Sequence, residues 1–361
     1  MGRFPPWSVQ STEPEAGSLA LGARSEDPPL ALDPRGRYKV AMSDPSKAWV
    51  AALTRFKPEK SIEAPPDWDE AVHYLSRHGL AAIAAYNLQY QMPGADVPPD
   101  LRDFLLGYMQ GGANDNVLKL MTLRQLASLF GEREFIVLDG AAFADTLYPH
   151  ISFRLVPELK ILVRPEDRDP IVKAVEPEGF VEMEGEEPDP DRPAATLYND
   201  KFYLKLYTSL LPKGGEEKLF ERAVPALPYG RSARRMQAED ALLVHVLSLA
   251  RRGFRVPRIY FVDLRELVRG DSPVIVGPGP GAPLDPALVL ERAEEMGVNK
   301  ALWAAMEILA DFHPEVAEAA RTLSPKLPAP LRALIQTTVV QGAEKERALR
   351  GSEKLVRLLL E

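Results

Sequence analysis

The chain has 361 residues, of which 45% are hydrophobic and 27% are charged, an ordinary composition for a globular protein. Its net charge of −8 argues against a protein that coats nucleic acid. The absence of cysteine excludes disulfides and cysteine-bound zinc or iron–sulfur clusters. The apolar runs are too short to span a bilayer, and the first residues lack a signal-peptide core. We therefore expect a cytoplasmic protein without membrane or nucleic-acid partners.

The first part of the chain divides into a tail and a helical segment. Residues 1–43 are rich in Pro, Gly, Ser and charge and show no periodic apolar pattern, so we expect a disordered tail. Residues 44–131 form the helical segment, which starts at Asp44-Pro45 with an N-cap residue and a proline at the first helical position. Another helical stretch opens at Pro98, and we expect Gly111-Gly112 to interrupt it.

The middle of the chain, residues 132–212, has the pattern of a small α/β core. Phe135–Leu138 is a short apolar strand that Asp139-Gly140 stops. Ala141–Tyr148 contains helix formers with one apolar face, and Leu159–Val163 is a second apolar run of strand length. These patterns predict strand, turn, helix, loop and strand in that order.

A hairpin and a helical region follow the second strand. Residues 195–207 predict a hairpin whose turn is Asn199-Asp200-Lys201. Residues 213–361 predict a helical C-terminal domain that ends in a charged helix, Glu344–Leu360, with an apolar stripe. We expect this stripe to pack against the body of the chain or against a second subunit, which would make a homodimer.

The central segment resembles the bacterial uncharacterised nucleotidyltransferase family, a branch of the DNA polymerase β-like superfamily. The family pattern is an apolar strand ending in Leu-Lys-Gly, a small-residue helix ending in Tyr, an Arg, Asp-x-Asp on a second strand, and Arg-Pro-Glu-Asp. Thirteen positions carry the resemblance here: Leu138, Gly140, Ala141, Ala142, Tyr148, Pro149, Arg154, Leu162, Val163, Arg164, Pro165, Glu166 and Asp167. The resemblance implies an α/β (α+β) fold, with a small mixed nucleotidyltransferase-type sheet flanked by helical N- and C-terminal regions.

The positions that carry the family's chemistry differ from its pattern. The family lysine is replaced by Asp139, and its Asp-x-Asp becomes Glu158-Leu159-Lys160. The third family carboxylate, on a neighbouring strand, is replaced by Lys205. In the family, three carboxylates hold Mg²⁺ ions, whereas Glu158, Lys160 and Lys205 together carry a charge of +1. We therefore expect no cofactor, and Mg²⁺ at Glu158 only if the enzyme is active.

Three functions remain open from the sequence. The chain is a degenerate family member that binds a nucleotide-like ligand or a protein without transferring a nucleotide, an active Mg²⁺-dependent nucleotidyltransferase acting on an unknown acceptor, or an interaction and assembly protein. The carboxylate replacements favour the first and the third. The expected ligand-binding residues, carried over from the family motif, are Asp139, Gly140, Arg154, Lys160 and Lys205.

The exchanged charges lead to one structural expectation. The two strands should lie side by side, with Asp139 and Lys160 at the same end of the sheet. We expect these two residues to form an ion pair and Glu158 to face Lys205, so that the former catalytic centre becomes a salt-bridge cluster.

Overall fold

Seven strands form one mixed sheet in a computed structural model that describes residues 44–56, 67–183, 192–272, 278–340 and 358–360. The strand order is β3-β4-β5-β2-β1-β7-β6. The strands are β1 (Phe135–Val137), β2 (Leu159–Val163), β3 (Val181–Glu182), β4 (Ala195–Tyr198), β5 (Tyr203–Tyr207), β6 (Val224–Pro225) and β7 (Ala233–Arg235). The predicted adjacency of β1 and β2 is confirmed, because the two strands pair antiparallel.

Helices make up the rest of the described secondary structure. Their bounds are α1 (Asp44–Leu53), α2 (Trp68–Arg77), α3 (Ala81–Tyr86), α4 (Pro99–Leu129), α5 (Asp139–Phe143), α6 (Arg168–Val175), α7 (Glu216–Arg222), α8 (Ala238–Arg251), α9 (Ile259–Arg269), α10 (Pro286–Met296), α11 (Asn299–Phe312), α12 (Ala317–Thr322) and α13 (Ala329–Ile335), with π-helical turns at Asn87–Gln91 and Gln336–Val340. None of the described helices combines the length and apolar character needed to cross a membrane.

The register of the sheet separates its two faces. Strand β2 pairs parallel with β5, so that Leu159 lies beside Leu204 and Lys160 beside Lys205. Both leucines are fully buried. Because side chains alternate along a strand, the two lysines share the opposite face. The predicted hairpin is confirmed: β4 and β5 pair antiparallel, and Asp200 in the turn has a φ of +64°.

Helix α4 runs without a break from Pro99 to Leu129, so the predicted interruption at Gly111-Gly112 is wrong. Gly112 faces the protein, where an added Cβ would overlap the Leu155 side chain. The glycine therefore permits close packing between α4 and the segment that precedes β2. This tertiary contact offsets the helix-propensity cost of about 1 kcal/mol for a glycine.

Two predicted segments fall mostly outside the described residues. The tail, residues 1–43, lies entirely outside them, and residues 42–361 form a compact unit of their own. Of the predicted terminal helix only residues 358–360 are described, and they are helical, with Leu359 fully buried. The homodimer through this helix and the domain boundaries at 131 and 212 stay predictions.

Asn116 connects α4 to the chain leading into β2. Its side-chain amide donates hydrogen bonds to the carbonyls of Ile151 (2.7 Å) and Arg154 (2.8 Å). Its side-chain oxygen accepts from the Val156 amide at 2.8 Å. The side chain is fully buried, and its bonds to Arg154 and Val156 are made without competition from water.

We predict that Asn116→Ala destabilises the fold by roughly 3 kcal/mol, because it removes the partner of two buried backbone groups, at Arg154 and Val156, and of one partly buried group, at Ile151. The measurement is the free energy of unfolding from urea denaturation. Gln110→Ala, an exposed change on the same helix, is the matched control and should leave stability within about 0.5 kcal/mol. Equal stability of the two variants would contradict the role given to Asn116.

His78 joins the end of α2 to the start of α9. Its Nδ1 accepts the backbone N–H of Arg258 at 3.2 Å, and its carbonyl accepts that of Ile259 at 3.1 Å. Burial, assisted by the positive charge of Arg258, lowers the pKa of His78 to about 3. The imidazole is therefore neutral in the folded protein, which its acceptor role requires.

We predict that protonation of His78 in the unfolded state destabilises the fold in mild acid. The unfolded side chain binds a proton below about pH 6.5, whereas the folded one does so only near pH 3, so stability falls as the pH drops between these values. At pH 5 the loss from this residue is about 2 kcal/mol relative to neutral pH. His78→Asn keeps an acceptor without the titration, and urea denaturation should show it losing less stability than the wild type between pH 7 and pH 5. An identical loss in both proteins would refute the prediction.

Candidate functional site

The residues that the sequence analysis expects at the site lie together on one face of the sheet, at strands β1, β2 and β5. Asp139 follows β1 and opens α5, Glu158 immediately precedes β2, and Lys160 and Lys205 lie side by side on β2 and β5. The backbone N–H of Leu138 donates to the Lys160 carbonyl at 3.0 Å, which holds Asp139 beside Lys160. Local sequence sets the strands, and their pairing brings the four side chains together.

The four side chains form a chain of alternating charges. Lys160 Nζ lies 3.1 Å from Asp139 Oδ2 and 3.0 Å from Glu158 Oε1. Lys205 Nζ lies 2.8 Å from Glu158 Oε2. The expected Asp139–Lys160 and Glu158–Lys205 pairs are therefore present, and the additional Lys160–Glu158 contact joins them into one cluster.

Arg154 extends the cluster to the C-terminal helices. Its Nη2 lies 3.5 Å from Asp139 Oδ1, and its Nε donates to both carboxylate oxygens of Asp263 at 2.9 and 3.0 Å. Tyr148 donates its hydroxyl to Asp263 Oδ1 at 2.6 Å. The guanidinium carbon also lies 4.8 Å from the centre of the Tyr260 ring, within the range of a cation–π contact.

Asp263 is a site residue that the sequence analysis missed. It lies on α9 and is fully buried, with the apolar residues Val262 and Leu264 on either side. The available signal was a carboxylate within an apolar stretch of a helix, since a buried acid needs a cationic partner. The sequence did not identify that partner, because Arg154 is separated from Asp263 by 109 positions.

The protonation states of the cluster follow from its charges. Burial alone would raise the pKa of Asp139, but the Lys160 ammonium and the Arg154 guanidinium outweigh it and hold this pKa far below its usual value. Burial would lower the pKa of Arg154, but the Asp263 carboxylate raises it instead. Burial and the charge of Asp263 raise the pKa of Tyr148, which therefore stays a neutral donor.

The turn at the start of α5 differs in detail from the predicted glycine turn. Asp139, not Gly140, takes the left-handed backbone conformation, with a φ of +51°. Aspartate tolerates this region better than most residues. A Cβ at Gly140 would lie 3.4 Å from Arg154 Nη1 and 3.5 Å from the Leu155 carbonyl oxygen, so this glycine makes room for the guanidinium. The predicted helix 141–148 accordingly begins at Asp139 and ends at Phe143.

One group of side chains has the composition of a metal site. Ligand atoms of Asp139, His245 and Asp263 lie within 4.8 Å of one another. Both carboxylates already bind the Arg154 guanidinium, and Asp139 also binds Lys160. His245 Nε2 lies 2.8 Å from the Tyr260 carbonyl and acts as its donor. A divalent cation here would have to displace a guanidinium or an ammonium group, so the donor set as arranged does not suit one.

A small, mostly apolar cavity adjoins the cluster. Its volume is ≈ 50 Å³, and Asp139 and Lys160 line it on one side. The apolar lining comes mainly from β1, α5 and α8 and includes Leu138, Phe143, Met236, Val244 and Leu247. Pockets for drug-sized ligands have volumes of roughly 300–1,000 Å³. The cavity in this conformation is therefore too small for a nucleoside triphosphate.

A family model described as uncharacterised nucleotidyltransferase matches residues 64–314, well over half of the 361-residue chain. The chain belongs to this family. Searches of curated proteins and of solved structures found no match to it. The seven-stranded mixed sheet with its flanking helices is the α/β nucleotidyltransferase-type fold that the sequence predicts.

The family typically uses Mg²⁺, which prefers anionic or neutral oxygen ligands. Glu158, Lys160 and Lys205 are the residues that the sequence analysis expects at the family's carboxylate positions, and both ammonium groups lie within 3.0 Å of the Glu158 carboxylate. A cation at Glu158 would have to compete with two ammonium groups that already pair with it. The residues at the motif positions do not fit the metal ion.

We predict that Asp139→Ala and Lys160→Ala each destabilise the fold, and that the double variant loses less than the sum of the single losses. The two side chains are 16% and 6% exposed, and each truncation leaves a largely buried charge with one of its two ionic partners removed, at a cost of up to roughly 3–5 kcal/mol. The measurement is a double-mutant cycle in urea. The exposed pair Lys218 and Glu295 gives a control cycle, whose coupling should stay below about 1 kcal/mol. Strict additivity for Asp139 and Lys160 would show that they do not interact.

Proposed function

We propose that this chain is a non-catalytic member of the nucleotidyltransferase family, in which a structural ion-pair cluster replaces the metal centre. The observation that carries the proposal is the position of the Lys160 ammonium, 3.1 Å from Asp139 and 3.0 Å from Glu158. An ammonium group bridging two carboxylates takes the place of a cation between them. Nucleotidyl transfer through Mg²⁺ then lacks its ligands, because two of the three motif positions are cationic.

The retained role is binding, either of a nucleotide-like ligand or of a protein. Lys160 and Lys205 lie on one face of the sheet, and a phosphate group that displaced the Glu158 carboxylate would meet both ammonium groups as point charges. Any nucleotide binding should therefore be independent of Mg²⁺. The ≈ 50 Å³ cavity would have to enlarge to admit such a ligand, which favours a small anionic ligand or a protein partner over a full nucleoside triphosphate.

An active enzyme with rearranged metal ligands is the second candidate. The observation that favours it is the group formed by Asp139, His245 and Asp263, whose ligand atoms lie within 4.8 Å of one another. For this group to bind a divalent cation, Arg154 and Lys160 would have to move away from the carboxylates. The two candidates therefore differ in their response to Mg²⁺.

We predict that ATP, CTP, GTP and UTP each give neither a Mg²⁺-dependent thermal shift nor Mg²⁺-dependent pyrophosphate release with the wild-type protein. The positive control is the triple change Asp139→Lys, Lys160→Asp and Lys205→Glu, which restores the charge pattern of the family motif. We expect this variant to gain a thermal shift with Mg²⁺ or Mn²⁺, because it again offers three carboxylates. The measurements are a thermal-shift screen with and without the metal and a coupled pyrophosphate assay.

Two outcomes would contradict the proposal. Mg²⁺-dependent pyrophosphate release by the wild type that is lost in Glu158→Ala would show an active centre at the motif position. Release that survives Glu158→Ala but is lost in His245→Ala would show the rearranged centre instead.

A further inference from the structure

The outer face of α4 exposes several large apolar side chains. Phe104, Leu118 and Met121 are 46%, 57% and 64% exposed, although α4 is packed into the fold along its other side. At 100° per residue, these three side chains and two glycines, Gly107 and Gly111, fall on one side of the helix. Isolated exposed apolar residues are normal, but several large ones on one side of a single helix mark an interaction surface.

The two glycines have no packing role among the residues that the structure describes. A Cβ added at Gly107 or at Gly111 would meet nothing within 4 Å, whereas one at Gly112 would overlap Leu155. Each glycine in a helix interior costs about 1 kcal/mol relative to alanine. Within the part of the chain that the structure describes, nothing offsets this cost at Gly107 and Gly111. Between Phe104 and Leu118 they leave a shallow groove that another helix can enter closely.

We propose that this face of α4 is a homodimer surface, occupied by α4 of a second copy running antiparallel. The proposal goes beyond the binding role above and does not depend on it. A two-fold axis between Gly112 and Ala113 places Leu118 of one copy opposite Gly107 of the other. The same axis places Met121 opposite Phe104. Because the two copies use the same surface, each pair occurs twice. In one pair a leucine packs on a glycine, and in the other a methionine packs on an aromatic ring.

The charges on α4 complement each other in the same arrangement. Asp103 and Arg124 are both exposed, and neither takes part in an ion pair among the described residues. They lie at nearly equal distances from the proposed axis and on the same flank of the apolar face. An antiparallel copy therefore brings Asp103 of each chain near Arg124 of the other. A parallel arrangement would set like charges together, so the charge pattern favours the antiparallel one.

The size of the contact sets the expected affinity. Helix α4 has 31 residues, which corresponds to a length of about 46 Å at 1.5 Å per residue. One helix pair buries less than the roughly 800 Å² per partner of a standard interface. We therefore expect a dissociation constant in the micromolar range. The experiment must cover protein concentrations below and above this constant.

The first test is the mass of the full chain by size-exclusion chromatography with light scattering, from low to high micromolar concentration. The wild type should approach twice the chain mass of 40.0 kDa as the concentration rises. Leu118→Lys should stay at the monomer mass, because the lysine of each copy would bury an ammonium group in the apolar groove of the other copy. Leu334→Lys, at an exposed leucine on α13, is the matched control and should dimerise like the wild type.

The second test uses the absence of cysteine from the sequence. Asn114→Cys places the only thiol beside the proposed axis, and a short bis-maleimide should cross-link it to a covalent dimer. Leu334→Cys should give monomer under the same conditions. A wild type that stays monomeric at high micromolar concentration overturns the proposal. So does a dimer that persists in Leu118→Lys, or cross-linking that is equal at both cysteine positions.

Discussion

Buried charge is the constraint on which the centre of this structure depends. A carboxylate or a guanidinium group out of water is unstable unless an opposite charge and well-placed hydrogen bonds accompany it. Arg154 and Asp263 are 3% and 0% exposed, and they meet through two hydrogen bonds, with the Tyr148 hydroxyl as an additional donor. Since Arg154 precedes β2 and Asp263 lies on α9, this pair joins the sheet to the C-terminal helices.

The same constraint accounts for the arrangement at the motif positions. The Asp139 and Glu158 carboxylates would repel each other, and the Lys160 ammonium, which contacts both, removes that repulsion. Including Arg154 and Asp263, the cluster has three acidic and three basic side chains and no net charge. A neutral, internally paired centre is stable without a ligand, whereas a metal site is completed only by its ion. The nucleotidyltransferase fold of this chain therefore holds a centre whose charges balance without a metal ion.

Direct contacts within the cluster make the effect of a substitution at one of its positions depend on the residues at the others. Asp139 takes a left-handed backbone conformation that is uncommon for residues other than glycine, and it contacts both Lys160 and Arg154. The absence of a side chain at Gly140 leaves room for the Arg154 guanidinium. The turn, the strand and the arginine are thus coupled through direct contacts. A change of charge at one of these positions therefore affects the residues that contact it.

The sequence by itself determined the family, the order of the central elements and the ion pairs. Apolar runs that end in turn residues mark β1, β2 and the β4–β5 hairpin, because local propensity and burial favour the same structure there. The pairing of Asp139 with Lys160 followed from the exchange of charges between two strands expected to be neighbours.

Only the tertiary structure decided the remaining features. The two-residue strands β3 and β6 carry no local signal, and their pairing partners supply their stability. The continuity of α4 through Gly112 depends on Leu155, and the role of Asp263 depends on Arg154. Each of these features joins residues far apart in the chain, and no local pattern encodes a contact whose energy arises only when distant segments pack.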